Sequence, residues 1–252
     1  MGIDIYGSRC HSSSKMVKFL VVPNARCAST VGHYYLDLVE KHGGKPYPSF
    51  KVFVQATVNG GSETRELYAA HIALRHHCMP EIPLEVAPGF VALRSTDNIT
   101  IEFLWNLFTN YVGLDIKQIL LMGKSLNYFN SAQPFHIDLF NWLWPKSVQV
   151  SLDNFVEYWN DHKIRTQHNK QLPSGFSPNY IYDFPDKFGL TYFGVPVPQD
   201  LVDALWENIP KNREECYRWV SDDFEVKAWE AYYMIGAPKF VLTDGWTIFC
   251  QM

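Results

Sequence analysis

Two positions frame the chemistry this chain could do. Asn59 stands in "TVNGGSET" (residues 57–64), between an apolar run and a helical pattern, and Glu102 stands in "STDNITIEFLW" (residues 95–105). A strand, a tight turn and a helix N-terminus in that order make a favoured place for a catalytic carboxylate or a phosphate cradle. An amide there keeps the shape of an acid and one carbonyl oxygen but loses the charge. Taken alone, Asn59 reads as a turn residue that tolerates the left-handed conformation before Gly60. Glu102 alone reads as a polar residue on the solvent side of an apolar helix. A third feature is the basic stretch "HKIRTQHNK" (residues 162–170), with Lys163, Arg165 and Lys170. Cations at the end of a helix also favour its macrodipole and water.

Other chemistries find less support. His76, His77 and Cys78 are adjacent, so on a helix they point to different faces, and no second ligand pair follows at zinc-finger spacing. "GSRCHSSSK" lacks the second glycine and the GK[ST] ending of a phosphate loop. Ser62 follows two glycines, but no G-x-S-x-G elbow surrounds it. The aromatic "FNWLWP" is explained by buried helix packing more simply than by base stacking.

The elements that must position these residues follow from periodicity. Residues 3–6 and 17–22 are short β-favouring runs joined by a polar segment, the pattern of a hairpin with a loose turn. Residues 29–42 place Val31, Tyr34, Tyr35, Leu38 and Val39 on one helix face. Residues 50–58 read as one buried strand. Ser62 is the expected cap of the next helix, which carries Leu67, Ala70 and Leu74 along one face. Residues 90–93 read as a strand and 99–112 as an apolar helix bearing Glu102. The order strand, strand, helix, strand, helix, strand, helix implies a mixed α/β sheet covered by helices. From about residue 135 the chain turns helical and aromatic, and three helices are expected over 199–209, 213–219 and 222–235.

Bulk properties limit the partners. The 252 residues include 47% hydrophobic and 19% charged side chains, as in a folded globular protein. A net charge of −4 excludes a broad basic surface for nucleic acid, although not a local patch. The five cysteines (Cys10, Cys27, Cys78, Cys216, Cys250) are scattered, with no CxxC spacing, and read as free thiols or small buried groups. No run is long and apolar enough for a membrane span, and no small-molecule cofactor is evident. An intracellular protein is expected, with the nucleus compatible.

Four ordered pieces carry a resemblance: "VVPNAR", "NGGSET", "STDNITIEFLW" and "YWNDHKIRTQHNKQLPSGFSPN". Together they resemble the integrase core family, the retroviral-integrase-like transposases common in fungal genomes. The resemblance implies a ribonuclease H-like α/β domain over residues 1–172 and a mainly helical extension over 173–252. It also implies chemistry by three carboxylates holding two magnesium ions. Family members carry "TTDxGSET"-like sequences, so the second acid falls on Asn59, and the third falls on Glu102. The first strand and its Asp would lie upstream of Met1; Asp4 is a conceivable substitute at a position that does not match. The expectation is a remnant site at Asn59 and Glu102, inert in catalysis, with Lys163, Arg165 and Lys170 available to a DNA backbone. The alternatives are an active magnesium-dependent strand transferase or nuclease, and a structural or interaction protein without a nucleic-acid role. A missing central strand would leave an open sheet edge and favour self-association.

Overall fold

The computed structural model describes residues 2–41, 50–94, 96–169, 171–190 and 194–252. The chain is mixed α/β. Its first part runs β1 (Asp4–Arg9), β2 (Met16–Val22), α1 (Ala28–Lys41), β3 (Phe50–Val52), β4 (Ala56–Asn59), α2 (Arg65–Cys78), β5 (Phe90–Leu93) and α3 (Ile99–Phe108). A wider π-type turn over 109–113 leads into α4 (Leu114–Ser125) and the long α5 (Pro134–Asp161). Then come α6 (Pro178–Asp183), β6 (Val195–Val197), α7 (Gln199–Glu207), α8 (Arg213–Tyr217), α9 (Asp222–Met234) and α10 (Gly245–Gln251).

The described strands form three two-stranded sheets. β1 and β2 make the expected antiparallel hairpin. Its loose turn is closed by the Cys10 N–H on the Lys15 carbonyl at 2.8 Å. The outer edge of β2 is satisfied by side chains of α5. Gln149 accepts from the Val21 N–H at 2.9 Å and donates to the Phe19 carbonyl at 3.0 Å. Asn160 accepts from the Met16 N–H at 2.8 Å and donates to the Met16 carbonyl at 2.9 Å. Eleven helical residues rise about 16 Å and five strand residues span about 17 Å, so the two amides meet the two ends of the strand.

The single strand expected over residues 50–58 is instead two strands in different sheets. β3 pairs antiparallel with β6, whereas β4 pairs parallel with β5. The chain turns between them because the Gly89 carbonyl accepts from the Ala56 N–H at 2.8 Å and Gln55 donates to the Pro88 carbonyl at 2.9 Å. Those partners belong to the approach to β5 and hold the chain away from the β3 direction.

Helices surround these pairs. α1 and α2 approach closely at Gly32, where a Cβ would lie 2.8 Å from the Glu66 Cβ. α5 continues through Pro145, which the aromatic run ahead of it does not foretell. Proline removes one helical hydrogen bond. Burial of Trp142, Leu143, Trp144 and Val148 around it offsets that loss. α9 ends as expected, at Gly236 in the left-handed region with φ 87°. Among the described residues no helix is long and apolar enough to cross a membrane.

Two buried clusters form the interior. One joins Met16 and Phe19 of β2 to α5 and to Tyr232, Trp246 and Phe249 near the C-terminus. The other joins Val31, Leu36, Leu67 and Leu74 of α1 and α2 to Val197 and Val202. Both clusters draw residues from either side of the boundary expected between residues 172 and 173.

Candidate functional site

β4 and β5 run parallel, so their C-terminal ends lie side by side, with Asn59 paired to Leu93. The Gly60 N–H continues the ladder onto the Leu93 carbonyl at 2.9 Å. Asn59 is thus the last residue of an extended strand. The described non-glycine residues with positive φ are Ser14, Asn127 and Ala237, so the left-handed turn reading of Asn59 does not hold. Beyond β5 a turn closes with the Asn98 N–H on the Arg94 carbonyl at 3.1 Å, and α3 begins.

Asn98 joins the two candidate positions. Its side-chain amide donates to the Asn59 Oδ1 at 3.0 Å, and the residue is only 5% exposed. Its carbonyl accepts from the Glu102 N–H at 3.2 Å. Glu102 therefore sits half-buried in the first turn of α3, where the helix dipole favours an anion. The structure brings Asn59 and the Glu102 turn together through one buried amide.

The hairpin supplies a cation to the same turn. Arg9 Nη1 donates to the Thr100 carbonyl at 2.7 Å and Nη2 to the Ser14 Oγ at 2.9 Å. Burial lowers the Arg9 pKa from its ordinary value, yet a guanidinium stays protonated. Glu63, in the short turn before α2, lies close enough to Tyr6 of β1 to act on it. Burial first, and Glu63 second, push the Tyr6 hydroxyl up to about 12. Asp4 is at the far end of β1, about 17 Å of strand from Arg9. Its carboxylate accepts from the Ala25 N–H at 3.0 Å, which removes it as a substitute acid beside Glu102.

These residues do not fit a two-magnesium centre. Magnesium requires oxyanion ligands in near-octahedral array. Position 59 offers a neutral amide whose oxygen already accepts from Asn98, and the anchored Arg9 places a positive charge on the adjoining turn. Among the described residues no group of three or more His, Cys, Asp or Glu side chains could hold a metal ion, His76, His77 and Cys78 included.

The basic stretch lies past the end of α5, not within it. The last turn of α5 carries no basic residue, and Lys163 directly follows its C-cap, His162. Lys163 and Arg165 are exposed on a segment tied down by the Ile164 N–H on the Phe176 carbonyl at 3.1 Å and the Gly175 N–H on the Ile164 carbonyl at 2.9 Å. Lys170 lies outside the described residues. Ser62 caps nothing by its side chain; residues 62–64 form a short 3-10 turn ahead of α2.

Sequence reasoning passed over Asn98 and Arg9. Asn98 carries a signal, an asparagine directly before an apolar helix. Arg9 carries none, because its partner Thr100 is far away in the chain. Comparison with family models, with curated proteins and with solved structures finds no match for this chain.

Proposed function

We propose that the chain is an integrase-core-like protein of transposable-element origin, built on a ribonuclease H-like frame, inert in phosphoryl transfer and retaining nucleic-acid binding. The observation that carries this reading is the Asn59–Asn98 hydrogen bond at 3.0 Å, which gathers the end of a parallel strand and the Glu102-bearing helix turn at one point. Proximity of these two elements supports the reading of a remnant carboxylate site, and the neutral amide at position 59 supports its inertness. The succession of antiparallel hairpin, helix, parallel strand pair and Glu-bearing helix supports the same frame. Exposed Lys163 and Arg165 supply a local cationic contact for phosphates on a chain that is acidic overall.

Two measurements test it. Duplex DNA binding, followed by fluorescence anisotropy across a salt series, is expected to weaken in the Lys163→Ala/Arg165→Ala variant. The slope of log affinity against log salt should fall by about 2, close to one unit per lost phosphate contact. No binding at low salt in the wild type overturns the nucleic-acid role and leaves an interaction protein. Calorimetric titration with Mg²⁺ and Mn²⁺ is expected to show no site. Metal binding that disappears in Glu102→Gln overturns the inert reading in favour of an active strand transferase.

A further inference from the structure

The last turn of α2 holds a charge that its surroundings do not balance. Arg75 is 1% exposed and stands about 15 Å along the helix from the Asn59 end of α2. Its Nη2 donates to the Ala87 carbonyl at 2.9 Å and to the Ile82 carbonyl at 3.3 Å, and its Nη1 donates to the Met79 sulfur at 3.1 Å. All three acceptors are neutral, and a thioether is a weak one. The Nε–H is buried with no partner among the described residues. The ion pairs among the described residues do not include Arg75. The carbonyl end of α2 and the two loop carbonyls lessen the cost of burying the guanidinium, and a full negative charge would cancel it.

The same side chain lines a cavity of about 130 Å³. Met79, Pro80, Ile82, Pro83 and Leu84, from the chain between α2 and β5, supply apolar walls, and exposed His76 also borders it. Those walls hold their shape through their own turns. The Ile82 N–H donates to the Met79 carbonyl at 3.2 Å, and the Val86 and Ala87 N–H groups share the Pro83 carbonyl at 3.0 Å. Two prolines restrict the same segment further.

Charge, size and wall chemistry together select an occupant. One guanidinium balances one negative charge, so a phosphate dianion would leave excess charge against apolar walls. A carboxylate matches the planar donors of a guanidinium. The space equals about four waters of liquid volume, enough for a carboxylate with a chain of about three carbons. We propose that Arg75 and the cavity beside it form a site for a small aliphatic monocarboxylate. The carboxylate takes the place of the Met79 sulfur on Nη1, and the alkyl chain lies against Ile82 and Leu84. A free short-chain acid and the C-terminal carboxylate of a peptide share this chemistry.

The test is calorimetric titration of the full chain at neutral pH and constant ionic strength. The probes are butyrate, butyramide, inorganic phosphate and an N-acetylated dipeptide ending in valine. Butyrate is expected to bind saturably with a Kd of about 1 mM, within reach of a ligand of about six heavy atoms. Butyramide, which lacks the charge, should bind at least about tenfold more weakly. A dipeptide that binds as well as butyrate assigns the site to chain termini, and butyrate binding alone assigns it to free acids. Arg75→Met should abolish binding. Should that variant fail to fold, Leu84→Trp decides, because it fills the cavity from an exposed wall and leaves Arg75 in place; butyrate should weaken by about tenfold or more. Absence of saturable binding by both carboxylates, phosphate binding as tight as butyrate, equal binding of butyramide, or undiminished binding in Leu84→Trp overturns the proposal.

Discussion

Around α5 the interior is packed with aromatic rings, whereas between α1 and α2 it contains polar groups that close on one another. Trp142 and Trp144 are fully buried; the Trp144 and Trp246 rings meet at a tilt with centroids 4.8 Å apart, and Tyr232 stacks on Phe240 at 4.7 Å. On the other side the Tyr35 hydroxyl meets the His71 Nδ1 at 2.6 Å, and buried Arg75 donates to the Ala87 carbonyl at 2.9 Å and more weakly to the Ile82 carbonyl at 3.3 Å. The first interior depends on volume and shape, the second on protonation and hydrogen-bond geometry. One protein thus holds two cores that respond to different insults.

The largest separation should come from Trp144→Ala, which removes a fully buried ring and leaves a cavity against Trp246 and Gly245. A loss of about 3–5 kcal/mol in denaturant-induced unfolding is expected. Acid should act on the other core. Burial, foremost, pushes the His71 imidazole down to about 4 from 6.5, so between those values the unfolded chain binds the proton and the folded chain does not. Stability therefore rises with pH through that window and is lost as pH falls through it, by about 3 kcal/mol in all. His71→Gln should flatten this part of a stability–pH profile, and an unchanged slope would show that His71 is not its source.

Gly123→Ala tests the aromatic core by overfilling. A Cβ at position 123 would overlap the Trp246 ring, for a cost of about 1–3 kcal/mol with no pH dependence. The smallest effect is expected at the seam. Asn98→Ala cuts the hydrogen bond between α3, which packs on the aromatic side, and β4, which packs on the polar side, and should cost about 1 kcal/mol. Its double-mutant cycle with Asn59→Ala should recover most of that as coupling.

The helices were legible because their apolar faces are local. Val31, Tyr34, Tyr35, Leu38 and Val39, read from spacing alone, are all buried, as are Leu67, Ala70 and Leu74. The three helices near the C-terminus agree with their expected spans to within about two residues, as cap and stop signals allow. The split between β3 and β4 was not legible, because β6 and the Gly89 carbonyl that enforce it are contributed from elsewhere in the chain. Nor was the single helix through Pro145, where local chemistry argues for a break and packing overrules it. At the site, Asn59 and Glu102 were visible by type and spacing, but the amide that joins them and the Arg9 tie to Thr100 are tertiary facts.

The amides that α5 extends to β2 set the arithmetic of assembly. Gln149 and Asn160 occupy one margin of the hairpin, and among the described residues β1 pairs with β2 alone. A hairpin with a single docking margin can add one neighbour and no more. Two copies joined through β1 would each turn a helix-sealed side outward, so growth through this hairpin closes at a two-fold pair instead of propagating as a fibre.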